Sequence, residues 1–175
     1  AVYGLGTSST QLENTVMPYS LDEIVDIVAG GRHAVALTAS GAVYTWGDNT
    51  HGQRGIGSSS TPNYQPREVL NSDIKPFGHN HTVVDIAAGY PHTMLLTDEG
   101  YVYAFGYNFW GSLGDGTQND ASFPTEERRV KTTQNTAGAA VIIENITGIA
   151  AGGYASYALT SDGQVYTWGH NSFGQ

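Results

Sequence analysis

Six histidines, 16 acids and several glycine-rich loops are the groups in this sequence that could do chemistry. His79 and His81, in the stretch FGHNHT from Phe77 to Thr82, stand two apart and could share a metal ion. No third ligand is evident, and a closed metal site needs three or four, so a solvated loop is the plainer reading. Asp115-Gly-Thr-Gln-Asn-Asp120 has the outline of a calcium loop but lacks the alternating acids, the placed glycine and the terminal glutamate. GLGTSS from Gly4 and GIGSSS from Gly55 look like phosphate cradles, yet they recur at one repeat position and no helix follows them. There is no nucleophile elbow, Walker loop or zinc-protease HExxH. Cysteine is absent, which excludes disulfides, thiolate ligands and thiol nucleophiles. No pair of acids is singled out by spacing. The sequence therefore leads us to expect no catalytic residue, no metal and no cofactor.

His33 and His92 differ from the other histidines, because they occupy one position of an internal repeat. The unit reads IVDIVAGGRHAVALTASGAVYTWGDNTHGQRGIG from Ile24, VVDIAAGYPHTMLLTDEGYVYAFGYNFWGSLGDG from Val83, and ITGIAAGGYASYALTSDGQVYTWGHNSFGQ from Ile146. Ile27, Ile86 and Ile149 match, with steps of 59 and 63; Gly30, Gly89 and Gly152 keep the same steps, as do Trp46, Phe105 and Trp168. A repeated histidine points to a structural duty, an imidazole satisfying backbone groups between strands, ahead of a ligand. The second half of each unit varies. Its insertions, Asn71–Thr82 and Lys131–Asn145, follow segments led by Pro66 and Pro124, so they map to one loop position. Repeats of approximately 1–51, 52–110 and 111–173 follow.

The rigid half is β-patterned. Three short apolar runs, Ile24–Ala29, His33–Thr38 and Ala42–Gly47 in the first copy, are separated by glycine. Ser40-Gly41, Glu99-Gly100 and Asp162-Gly163 are tight-turn pairs. The third run puts Tyr44 and Trp46 on one side and Val43 and Thr45 on the other; with no charge on either, both faces are expected to be buried. The proline-led segment suits a fourth strand at an edge, where a missing N–H is tolerated. A four-stranded antiparallel unit packed between copies of itself is a propeller blade. A solenoid of such sheets is the alternative, for which a period near 60 is long.

VYTWGDNTHGQ, with the preceding G-x-x-H-A-x-A-L-T, resembles the repeat of the regulator-of-chromosome-condensation family over nearly the whole chain. The resemblance implies an all-β fold, about three blades of a larger ring that is about seven-bladed in the best-known members. On the family's pattern His33, His92, Trp46, Phe105, Trp168, Gly47, Gly106, Gly169, Asn49, Asn108 and Asn171 are structural repeat positions. Ala155 replaces the histidine in the third copy, Phe105 the tryptophan in the second, and GQRG and GSLG stand for the usual GQLG. Both ends of the chain fall in the same turn of the repeat. That leads to the expectation of a piece of a longer protein, whose uncovered blade faces would make residues 1–175 alone self-associate.

Net charge is −9, so the chain repels phosphate backbones and no nucleic-acid partner is expected. No run approaches the length of a membrane span, so membrane insertion is not expected either. Low lysine, absent cysteine and abundant Ser, Thr, Asn and Tyr lean towards a secreted or microbial surface protein. Binding is what remains. Tyr107, Phe109 and Trp110, on the loop after an aromatic-glycine pair, are the first candidates for an interface anchor; capping of the blade core is the equal alternative. Phe77, His79 and His81 form the second candidate surface. The expected partners are another protein and the remaining blades, from the same or another chain. The expected function is a non-catalytic protein-interaction scaffold. The alternative is guanine-nucleotide exchange on a small GTPase, as the family's namesake performs.

Overall fold

β-branched and aromatic residues alternating across short runs, with glycine at each end, fold here as antiparallel strands. The computed structural model describes residues 2–4, 13–15, 23–69, 82–124, 129–132 and 141–175. Phe77, His79 and His81 lie outside them. Every strand pair is antiparallel. The first main sheet holds β3 (Ile24–Ala29), β4 (His33–Thr38), β5 (Val43–Asn49) and β6 (Ser60–Glu68), in that order. The second holds β7 (Val83–Ala88), β8 (His92–Thr97) and β9 (Val102–Gly106). The third holds β12 (Ile146–Gly152), β13 (Ala155–Thr160) and β14 (Val165–Gly169). Two short pairs complete the set: β1 (Val2–Gly4) with β2 (Glu13–Thr15), and β10 (Lys131–Thr132) with β11 (Val141–Ile142). Register repeats as the sequence does. Ile27 faces Ala36, Ile86 faces Leu95 and Ile149 faces Ala158, and a register shift falls at the same place in each first hairpin.

Among the described residues, the expected four strands per unit appear in full only in the first sheet. β6 carries Pro62 and Pro66 and pairs with β5 alone, as an edge strand can. In the second unit the described residues at the same position make two bridges, Tyr103 with Arg129 and Gly106 with Ala121. The third sheet has three strands among the described residues.

The sheets stack face to face, β3 and β4 against β7, and β7 and β8 against β12. The middle sheet is covered on both sides. Met94, Leu95, Val102, Tyr103, Ala104 and Phe105 are buried, each large side chain contributing roughly 1.5–3 kcal/mol relative to exposure. In the first sheet β3 is largely exposed, while Val43, Tyr44 and Thr45 of β5 are buried on both faces; in the third, β14 is open. Ile27 is 51% exposed and its repeat mate Ile86 3%; Val165 is 63% exposed and its mate Val102 0%. The expectation that both faces of the third strand are buried thus holds for β9 and fails for β14, because no described sheet lies beyond it.

Candidate functional site

One end of the stack is built from two kinds of turn. The first joins the opening hairpin of each unit (residues 30–32, 89–91 and 152–154). The second follows the third strand. Gly47, Gly106 and Gly169 hinge the second onto the first, all with φ between 95° and 116°. A Cβ there would be driven into the carbonyl oxygens of Arg32, Pro91 and Tyr154. The next residue then donates its N–H to that same carbonyl: Asp48 to Arg32 at 2.8 Å, Tyr107 to Pro91 at 2.9 Å, His170 to Tyr154 at 3.1 Å. The repeated asparagine holds the rest of the loop. Asn49 Oδ1 accepts the Arg54 N–H and Asn108 Oδ1 the Leu113 N–H, while the two Nδ2 atoms donate to the carbonyls of Ser58 and Thr117. Asn171 occupies the same position on the third loop and is exposed.

Between these fixed points the side chains are free to differ, and they gather into one aromatic ridge. Phe109 meets Trp110 edge-on at 4.9 Å, and Trp110 meets His170 at 4.9 Å. His170 leads on to Phe173, and Phe109 back to Tyr107. Tyr107 touches His51 at 4.7 Å and Tyr154 at 5.8 Å, and Tyr154 touches Tyr90. Phe109 is 56% exposed, Trp110 46% and Phe173 90%. Three units thus contribute to one surface. His51 Nδ1 lies 2.9 Å from Asp120 Oδ2, and His170 Nε2 lies 2.8 Å from Ser172 Oγ. Tyr90 and Tyr154 were missed, since they sit in the hairpin turn where the other copies have glycine, arginine or proline.

The repeated histidines lie inside the stack and not on this surface. His33 Nε2 reaches Thr93 Oγ1 on the second sheet at 2.8 Å, and His92 Nε2 reaches Ser156 Oγ on the third at 2.8 Å. The partner is a hydroxyl of the next sheet, where the sequence suggested backbone groups. Each hydroxyl in turn donates to a loop carbonyl of the preceding unit, Thr93 to Gln53 and Ser156 to Ser112. A hydroxyl that donates there must accept from the imidazole, so the proton sits on Nε2. Both Nδ1 atoms are buried without a hydrogen bond. Burial pushes both imidazoles down to about 4; Asp48 pulls His33 back up, and His33 depresses His92 further. They are neutral at pH 7.

In the second and third units the aromatic of the third strand packs into the preceding unit's loop. A Cβ on Gly55 would meet the Phe105 ring at 2.7 Å, and one on Gly114 would meet Trp168 Nε1 at 2.7 Å. Trp168 donates to the Ser112 carbonyl at 2.9 Å, a bond Phe105 cannot make. Trp46 is half-buried on the outer face of the first sheet. These contacts explain the glycines that end GQRG and GSLG, and they remove the resemblance to a phosphate cradle. Among the described residues, no three metal-ligating side chains cluster.

Models of the regulator of chromosome condensation (RCC1) repeat match residues 24–53 and 146–175, and residues 40–96 and 99–159. The chain belongs to the RCC1 repeat family. It is 33% identical over 158 residues to the human E3 ubiquitin-protein ligase HERC2, covering 86% of this chain and 3% of that one. It is 30% identical over 173 residues to the ultraviolet-B receptor UVR8 of Arabidopsis thaliana, covering 98% of this chain and 35% of that protein. The crystal structure of human WBSCR16 superposes with a TM-score of 0.72 at 20% identity, over 93% of this chain and 36% of that one. The RCC1-repeat chain therefore spans well under half the length of these proteins. Its fold is a β-propeller fragment.

Proposed function

We propose that this RCC1-repeat chain is the non-catalytic, protein-binding part of a propeller, and that the ridge through Tyr107, Phe109, Trp110, His170 and Phe173 is its contact surface. The observation that supports this is continuity: aromatic side chains at variable positions of two successive loops meet across the sheet boundary and remain exposed. Exposed aromatics set on a rigid backbone are the residues that dominate binding energy when a partner covers them. The alternative duty, capping of the blade core, is disfavoured at Trp110, which is 46% exposed and lies against exposed Phe109 and half-buried His170. The finer choice of a scaffold over an exchange factor rests on the −9 charge, which disfavours docking on a phosphate backbone. Trp110→Ala tests the reading. Partner binding is expected to weaken about tenfold or more with the melting temperature within about two degrees of wild type. A collapse of the fold would assign Trp110 to the core instead.

A further inference from the structure

Beside the ridge, between the first and second loops, lies a cavity of about 300 Å³ lined by Tyr90, Tyr107, Tyr154, Pro91, Asp48 and Arg32. That is near the small end of ligand pockets and suits one side chain on its stem. We propose that it receives a basic side chain, Arg or Lys, of a protein partner; this rests on the interaction reading above and specifies the partner's chemistry. Three tyrosine rings bound the space, with Tyr154 5.8 Å from both Tyr90 and Tyr107. Their faces are negative, which is the electrostatic condition for holding a cation. Asp48 stands on the same wall. Its two oxygens accept from the Thr50 N–H at 3.0 Å and the Thr50 hydroxyl at 3.3 Å, which fixes the carboxylate while leaving lone pairs for a guest. Asp120 lies behind His51 on the adjoining side.

Among the described residues Arg32 is the one lysine or arginine lining the cavity, and it is exposed. Among the described residues it forms no ion pair with Asp48. Asp48 and Arg32 thus share the lining one to one, with Asp120 set back behind His51. The wider field is negative, −9 over the chain, with Arg54 buried and Arg129 held over the rings of Tyr101 and Tyr103. A cation is thus drawn to this face and an acidic guest repelled from it. Tyr107 lines the cavity and stacks on Phe109 of the ridge, so a segment laid along the ridge could place one side chain in it.

The test uses the full chain and three eleven-residue peptides that differ only at the centre, Arg, Gln or Glu, titrated by calorimetry at low salt. The Arg peptide is expected to bind about tenfold tighter than the Gln peptide, and the Glu peptide weakest. Asp48→Asn, which keeps the Thr50 turn, should weaken the Arg peptide several-fold, and so should Tyr107→Leu. Arg32→Ala should tighten it, and 0.15 M salt should narrow the preference. Asp162→Asn, at the opposite end of the third sheet, should change nothing. Equal binding of the three peptides, or a Glu preference lost in Arg32→Ala, would overturn the proposal. Binding insensitive to Asp48 and Tyr107 but lost in Trp110→Ala would overturn it as well, and would leave the ridge standing as the contact surface.

Discussion

Acid should loosen this stack at two identifiable points. His33 and His92 have ordinary values of 6.5 in an unfolded chain and about 4 in the fold, with burial the first cause for both. At about 1.4 kcal/mol per pH unit, each histidine then carries a linkage of about 3 kcal/mol. The sign follows from proton binding. Between pH 6.5 and about 4 the unfolded chain holds protons that the folded one refuses, so stability rises with pH across that window. It is fully present above 6.5 and is lost as the pH falls towards 4. Structure reinforces the cost, because protonation would place a donor on a buried Nδ1 that has no acceptor. Two such sites amount to about 6 kcal/mol, comparable to the whole stability of many domains. Asp85 works in the opposite direction: burial raises its value, so protonating it is favoured in the fold. Urea titrations at half-unit steps from pH 7.5 to 5 avoid most carboxylate titration. Wild type should lose stability with a slope approaching two protons, and His33→Gln with His92→Gln should flatten the curve. A wild-type curve already flat from pH 7 to 5, or an unchanged slope in the double variant, would refute the reasoning.

Three further outcomes are expected. Arg54 is fully buried, its Nη2 bonded only to the Gln65 carbonyl at 3.3 Å and its Nε unpaired, where the second copy has the buried Leu113. Arg54→Leu should therefore stabilise the fold by about 1–3 kcal/mol in chemical denaturation. Residues 1–175 expressed alone should self-associate in light scattering through the faces bearing Ile27 and Val165, and charged substitutions at those two positions should restore a monomer. A small GTPase loaded with labelled nucleotide should release it no faster in the presence of this chain; acceleration would favour the exchange-factor alternative.

The sequence reading located the strands well because their periodicity is local. Ile24–Ala29 and His33–Thr38 are β3 and β4 to the residue. β5 ends two residues later than expected, at Asn49, because it continues along β6. The fourth strand was less legible: β6 begins at Ser60, ahead of the Pro66 expected to lead it, and ends before the insertion that follows. Tyr107, Phe109 and Trp110 could be nominated from one loop, but their connection to His170, Phe173 and Tyr154 depends on how two sheets meet. The pairing of His33 with Thr93 also crosses sheets. A signal for it existed in the residue after each repeat position: the copy following a histidine carries a hydroxyl there, Thr93 after His33 and Ser156 after His92. Arg54 read as drift in a structural motif; burial without a carboxylate partner is visible only in three dimensions.

The central claim is that this chain works by presenting the aromatic end of its sheets to another protein. Photo-cross-linking from within the native assembly tests it most directly. A photoreactive residue at Phe109 or Phe173 should capture one discrete partner, and the same residue at Asp162, at the opposite end, should capture none. Equal capture from both ends, or capture from position 162 alone, would contradict the claim.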